Sequence, residues 1–251
     1  MNIDVGGRRV VVAGGSRGIG RSIALTFAEA GAHVSVCARG TAALEAVRKE
    51  MARFGNTTHV APCDLGDGAS VARYIQEAAA ALGGIDVLVN NATGYGRGDD
   101  DASWAASIDV DVMATVRASQ AALPYIEKAE GGSIINISSG SGLNPSVRTP
   151  AYGAAKAAVI HYTRTQAAAL AQKRIRVNCV APGSIEFPEG IWDRCRRDDP
   201  ALYAATLASC PAGRMGRPEE VATVVLFLAS PLASWVTAQV ISVNGGQGLR
   251  R

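Results

Sequence analysis

Seven short runs rich in Val and Ile recur along the chain, with Ala-rich helical stretches between most of them, and this alternation limits the fold more than any other feature. The runs are Arg9–Ala13, His33–Ala38, Thr58–Pro62, Ile85–Val89, Ser133–Ser138, Ile175–Val180 and Gln239–Val243. Strands that alternate with helices pair in parallel, because each right-handed crossover lays a helix on one face of the sheet. The expected fold is therefore α/β, a doubly wound sheet of seven parallel strands with helices on both faces. A chain of 251 residues with 48% hydrophobic content is long enough to bury both faces. No linker rich in Pro, Ser or Gly divides it and no repeat is visible, so residues 1–251 are read as one domain.

Composition removes several classes of function. A net charge of +3 is spread along the chain without a basic stripe or interleaved aromatics, so no nucleic acid is expected as partner. The longest strongly apolar run, Val221 to Ala229, is too short to span a bilayer, and Met1 to Arg9 lacks a signal-peptide core. A cytoplasmic protein without a membrane partner is expected. Cys37, Cys63, Cys179, Cys195 and Cys210 are odd in number and show no Cys-x-x-Cys spacing, which argues against disulfides and against a metal site.

Ligands of open parallel sheets bind beyond the carboxyl ends of the strands, so the residues that follow each strand matter most. After the first strand comes Ala13-Gly14-Gly15-Ser16-Arg17-Gly18-Ile19-Gly20, opening into an amphipathic helix through Ala30. Glycines permit a tight turn and close approach, and free amides at a helix start attract phosphate, which points to a nucleotide. The second strand ends Cys37-Ala38-Arg39, with no carboxylate to bond ribose hydroxyls. Arg39 and Arg17 can clamp the 2′-phosphate of NADP; the alternative is two solvated arginines. Past the third strand, Asp64 with Leu65 is placed either to bond an adenine amino group or to cap the helix near Asp67. Past the fourth stands Asn90-Asn91-Ala92-Thr93-Gly94. Asn90 there either bridges strand ends or touches the cofactor.

The chemistry is carried by Tyr152-Gly-Ala-Ala-Lys156, with Ser139 thirteen residues upstream. A phenol with a reference pKa near 10 is a poor acid–base group at neutral pH, but a cation one helical turn away favours its ionised form. Positions i and i+4 share a helix face, so hydroxyl and ammonium can point into one site. Spacing alone permits this arrangement and does not require it.

Together these residues resemble the short-chain dehydrogenase/reductase family, classical type, from about Arg8 to Gly246, and in particular its 3-oxoacyl-thioester reductase members. The glycine turn, Asn90-Asn91-Ala92, Ser139, Tyr152, Lys156, Pro182-Gly183 and the closing stretch Arg217-Pro218-Glu219-Glu220 through Gly245-Gly246 carry the resemblance. It implies a Rossmann-like strand order 3-2-1-4-5-6-7 and hydride transfer between a nicotinamide and a carbonyl or secondary alcohol. By the same resemblance Tyr152 donates or accepts the proton, Lys156 favours the phenolate and bonds the nicotinamide ribose, and Ser139 orients the substrate oxygen. Bringing a phenol from about 10 to about 7 requires roughly 4 kcal/mol, which a partly desolvated cleft can supply.

Four positions depart from the family pattern: Ala13 for threonine, Thr93 for glycine, Phe187 for a threonine that bonds the carboxamide, and Asp111 for an asparagine. Backbone amides near Ile185 are expected to compensate for Phe187. Asp111 stands where the asparagine supports a water relay to the lysine. A carboxylate there either holds that water or pairs directly with Lys156, weakening its pull on Tyr152 and shifting the pH optimum upward. The stretch 184–214 is expected to close over the substrate, with Phe187 and Trp192 on it and Tyr95 and Leu143 as further wall residues. NADP(H) is the expected cofactor and a small carbonyl or alcohol the substrate. NAD(H), or a nucleotide-sensing protein without activity, is the alternative. The resemblance also implies a homotetramer built on helices Val110 to Lys128 and Ala151 to Gln172.

Overall fold

The computed structural model describes residues 3–248, so the ends of the 1–251 span, Met1, Asn2 and Leu249 to Arg251, lie outside the described residues. The strands are β1 (Arg9–Ala13), β2 (His33–Ala38), β3 (Thr58–Pro62), β4 (Val87–Asn90), β5 (Ser133–Ile137), β6 (Arg176–Pro182) and β7 (Val240–Val243). They form one parallel sheet in the order β3-β2-β1-β4-β5-β6-β7. The crossover order reverses between β1 and β4, and there Ala13 lies level with both Cys37 and Asn90. The loops that follow β1, β2 and β4 therefore open side by side.

Period-two alternation sends neighbouring side chains of each strand to opposite faces. Val10 and Val12 pack with α1 (Gly18–Glu29), α2 (Thr41–Met51) and α9 (Pro218–Ala229) on one face. Val11 and Ala13 pack with α3 (Gly68–Leu82) and α5 (Ala114–Ile126) on the other. At the N-terminal edge, Asp86 accepts from Arg9 N at 2.7 Å, Nε at 2.8 Å and a terminal guanidinium nitrogen at 2.7 Å, fixing β1 against β4. β4 starts at Val87, two residues after the expected Ile85, although Asp86 N already donates to Arg9 O at 2.8 Å and Asp86 O accepts from Ser133 N at 3.0 Å. β6 runs past Val180, because Ala181 and Pro182 find partners in Ser242 and Val243.

The connection after β4 differs most from the sequence expectation. A helix expected from Val110 begins at Asp101 as α4 (Asp101–Ala106), widens into a π-helical segment over Ser107–Met113, and resumes as α5. Helices with one residue too many per turn are uncommon and concentrate at functional sites. α6 (Pro150–Leu170) starts with Pro150 in its first turn, where a missing N–H costs nothing. Between β6 and α9 stand two short helices, α7 (Ile191–Asp198) and α8 (Pro200–Ala208). Among the described residues no helix is long and apolar enough to cross a membrane.

Candidate active site

The glycine turn is held by backbone bonds that glycine alone permits. Gly14 adopts φ +89°, and Gly14 N and Gly15 N both donate to Cys37 O at 3.1 Å, fastening the turn to the end of β2. A Cβ on Gly20 would stand 2.1 Å from Gly14 O and 2.4 Å from Asn91 Nδ2, so any larger residue breaks the turn. Asn91 bridges the turn by donating Nδ2 to Gly14 O at 2.6 Å. α1 then begins at Gly18 with no side-chain cap and no acidic residue in its first turn. Its leading amides, from Gly18, Ile19 and Gly20, have no intrahelical acceptor, which is the setting in which a helix start binds an anion. Ser16 and Arg17 complete the turn, and Arg17 and Arg39 are both exposed, without an ion-pair partner among the described residues. These features fit the diphosphate of a dinucleotide.

At the third strand Asp67, not Asp64, caps α3, accepting from Ala69 N and Ser70 N. Asp64 Oδ1 accepts from Gly66 N at 3.0 Å, and Leu65 beside it is buried. Asn90 bridges strand ends: its Nδ2 donates to Asn136 Oδ1 at 2.8 Å and to Ser119 Oγ at 3.1 Å, and Asn136 donates on to Thr163. Asn136 and Thr163 are members of this buried chain that the sequence reading did not single out. A polar residue at the inward end of a buried strand was the available signal.

Beyond β6, Gly183 N donates to Val243 O at 3.0 Å, and Glu186 N donates to Gly216 O at 2.8 Å. The N–H of Ile185, the residue expected to bond a carboxamide, has no partner among the described residues. The Phe187 ring lies on the glycine turn, where a Cβ on Gly18 would meet it at 2.5 Å. Leu143 is exposed at the end of the 3-10 turn Gly140–Gly142, and Trp192 is half-buried in α7. Tyr203 donates its hydroxyl to Glu186 at 3.2 Å, tying α8 back to the stretch that follows β6.

The seam between β5 and α6 brings the catalytic candidates together. Ser138 Oγ donates to Lys156 O at 2.8 Å, and Lys156 Nζ donates to Ile137 O at 3.0 Å. Ser138 is buried and committed to that seam. Ser139 is half-exposed, accepting only from Ser141 N at 3.1 Å. Tyr152, half-buried in the first turn of α6, has Lys156 Nζ 5.7 Å from its ring centroid.

Asp111 pairs directly with the lysine. Its Oδ1 lies 2.9 Å from Lys156 Nζ, with the two side chains 0% and 3% exposed, and its Oδ2 accepts from Gly94 N at 3.1 Å. The π turn sets this carboxylate between the loop after β4 and α6. Burial works against the lysine's charge, yet the charges of Asp111 and Tyr152 outweigh it and hold its pKa above the ordinary value. Lys156 is therefore a cation throughout neutral pH, with a fixed counter-charge.

Tyr95 sits edge-on to Tyr152, ring centroids 4.9 Å apart. Its backbone is left-handed at φ +48°, a conformation that non-glycine residues adopt at a cost of about 1–3 kcal/mol. Burial raises the Tyr95 phenol pKa first, and the Tyr152 charge adds to it, while Arg97 and Arg148 pull the other way.

The chain matches the family model described as Enoyl-(Acyl carrier protein) reductase over residues 13–247. It is 35% identical over 254 residues to a 3-oxoacyl-[acyl-carrier-protein] reductase of Chlamydia muridarum, covering 98% of this chain and 99% of that one. Among solved structures, a 7α-hydroxysteroid dehydrogenase with NADH and 7-oxo glycochenodeoxycholic acid superposes with TM-score 0.91 at 34% identity, covering 99% and 98% of the two chains. L-Sorbose reductase from Gluconobacter frateurii with NADPH and L-sorbose superposes with TM-score 0.92 at 29% identity over 100% of both.

Proposed function

Because the chain belongs to the short-chain dehydrogenase/reductase family of oxidoreductases, we propose that it moves a hydride between NADP(H) and a carbonyl or secondary alcohol, with Tyr152 as the proton donor and acceptor. One observation carries the reading. Lys156 Nζ stands 5.7 Å from the Tyr152 ring centroid and donates to Ile137 O, two residues before the half-exposed Ser139, beyond the carboxyl end of β5, and α1 starts uncapped beyond the carboxyl end of β1. A nicotinamide bound there would supply or take up hydride at the substrate carbon. Ser139 bonds the substrate oxygen and orients it. Tyr152 gives its hydroxyl proton to that oxygen in reduction and takes it back in oxidation, and the Lys156 cation stabilises the phenolate left behind. Lys156 and Tyr152 also hold the ribose, the amides of Gly18 to Gly20 the diphosphate, and Ile185 N–H the carboxamide. Ala92 and Thr93 line the adjoining loop and Pro182-Gly183 the opposite wall.

NADP(H) is favoured over NAD(H) because β2 ends without a carboxylate and is followed by the exposed Arg39, two residues after the Cys37 carbonyl that fastens the glycine turn carrying Arg17. Residues 184–214 act as a lid over one domain. The five free thiols suit a reducing cytoplasm. Assembly into a homotetramer through α5 and α6 completes the reading. Steady-state rates on a ketone panel with each nicotinamide test it. We expect kcat/KM with NADPH to exceed that with NADH, and Arg39→Ser to lower the NADPH value by about tenfold or more. Equal use of both cofactors, unaltered by Arg39→Ser, favours the NAD(H) alternative. Tight nucleotide binding without turnover favours a sensor.

A further inference from the structure

We propose that the substrate carries an anionic group, a carboxylate or a phosphate ester, several bonds from its reacting carbonyl, and that Arg97 and Arg148 hold this group at the mouth of the cleft. The inference rests on the oxidoreductase reading above and names the substrate class of the same site.

A path leads outward from the reacting phenol. Tyr95 lies edge-on to Tyr152 at 4.9 Å between ring centroids, and the Arg97 guanidinium carbon stands 5.7 Å from the Tyr95 centroid. The cation is thus no farther from the Tyr152 ring than those two separations end to end. With the Tyr95 ring against both, that position suits a group separated from the carbonyl by a spacer. Arg148 precedes Tyr152 by four residues, in a loop just ahead of α6 where Ser146 bonds Thr149 at 2.7 Å and packs on Gly153, next to Tyr152. Its charge and that of Arg97 both reach the Tyr95 phenol and Cys195 of α7.

Both arginines are exposed, and neither has an ion-pair or side-chain hydrogen-bond partner among the described residues. None of the nearby acids bonds either arginine among the described residues, although exposed Asp101 stands in the first turn of α4 and several others hold different partners. Asp99 accepts from Trp104 Nε1 at 2.9 Å, and Asp100 caps α4 through Ser103. On the lid, Glu186 accepts from Tyr203 and pairs with Arg196, and Asp193 pairs with Arg196 and Arg197. Asp199 caps α8, and its charge and that of Asp198 both act on Cys195. No Asp or Glu occurs between Glu130 and Glu186, so the segment carrying Arg148 supplies no counter-charge of its own.

The loop that presents Arg97 is also built to stay in place. Asp111 accepts from Gly94 N and Ser107 Oγ from Gly96 N, each at 3.1 Å, so both sides of the left-handed Tyr95 are tied to the π segment. A strained residue fixed in this manner orders a cleft wall before any ligand arrives, which lowers the cost of binding. A guanidinium held in such a wall is suited to a bidentate contact with a carboxylate or phosphate.

The test compares 7-oxooctanoate with its methyl ester, and 7-oxooctyl phosphate with 8-hydroxyoctan-2-one, as substrates with NADPH. In the wild-type enzyme the anion of at least one pair should exceed its neutral partner in kcat/KM by about tenfold or more. In Arg97→Gln/Arg148→Gln that ratio should fall toward one, and Arg97→Lys should retain part of it. Whichever pair gives the larger ratio identifies the anion. Turnover of the neutral ketones with ratios near one, or ratios that survive in the double variant, overturns the anion site while leaving the oxidoreductase reading intact. Absence of turnover with every ketone and both nicotinamides overturns that reading. The anion site is then judged by melting temperature with NADP+ present: a rise on adding 7-oxooctanoate or 7-oxooctyl phosphate that the double variant loses supports it, and no rise refutes it.

Discussion

Asp111→Asn should move the pH profile of this enzyme toward acid by about one unit. Lys156 Nζ lies 5.7 Å from the Tyr152 ring, and at an effective dielectric constant of about 20 a cation there favours the phenolate by about 3 kcal/mol. Asp111 Oδ1 lies 2.9 Å from the ammonium and so no farther than about 9 Å from the Tyr152 ring, where its opposing charge disfavours the same phenolate by about 2 kcal/mol. Removing that charge returns most of the 2 kcal/mol, equivalent to about 1.5 pH units at most and about one once water in the cleft is counted. The assay is kcat/KM for alcohol oxidation and ketone reduction across pH. The rise in oxidation and the fall in reduction should both come at lower pH in the Asn variant. Titration of the lysine is not the source, because its folded pKa lies above 10.5; the stability this shift contributes is complete below that value and is lost only as pH rises through the folded pKa. Breaking a buried pair is expensive, about 3–5 kcal/mol, so the Asn variant should also melt earlier although Ile137 O still accepts from the ammonium. Asp111→Glu keeps the charge and is the control that should not shift the profile. An unshifted or alkaline-shifted profile in a folded Asp111→Asn enzyme would refute the reasoning.

Two neighbouring serines should separate chemistry from stability. Ser139→Ala is expected to lower kcat/KM about a hundredfold with little change in melting temperature, since its hydroxyl meets only Ser141 N. Ser138→Ala removes the buried bond to Lys156 O and should cost about 1 kcal/mol, roughly 2–4 °C, with a much smaller effect on rate. In the first turn of α9, Glu220 accepts from Arg214 and from Arg217 N, which brings its carboxyl from 4.5 down to about 2. The stability this contributes is present above pH 4.5 and is lost as pH falls through about 2, so Glu220→Gln should flatten melting temperature against pH in that window.

How much of this was legible in the sequence depends on the range of the interaction. Strand positions follow from short-range periodicity, and the seven runs locate all seven strands to within about two residues. The glycine turn and the Tyr152–Lys156 pair were legible because local backbone geometry fixes their spacing. The π segment over Ser107–Met113 was not, since no residue in it marks an extra backbone atom ring, and the helix was expected to start at Val110. That segment decides what Asp111 does. The sequence left a held water and a direct pair with Lys156 both open, and the 2.9 Å separation in the structure is the direct pair. The placement of the Phe187 ring on Gly18 and the left-handed backbone of Tyr95 are likewise tertiary facts, set by contacts across distant segments.

The central claim is that Tyr152 carries the proton, and single-turnover reduction of a ketone by NADPH in Tyr152→Phe tests it most directly. The account predicts that hydride transfer slows by about a thousandfold or more while the NADPH dissociation constant changes only about threefold, because the phenol acts on the substrate oxygen and the cofactor rests chiefly on the glycine turn. Hydride transfer within tenfold of wild type, at any pH where the wild-type enzyme reduces the same ketone, would contradict it.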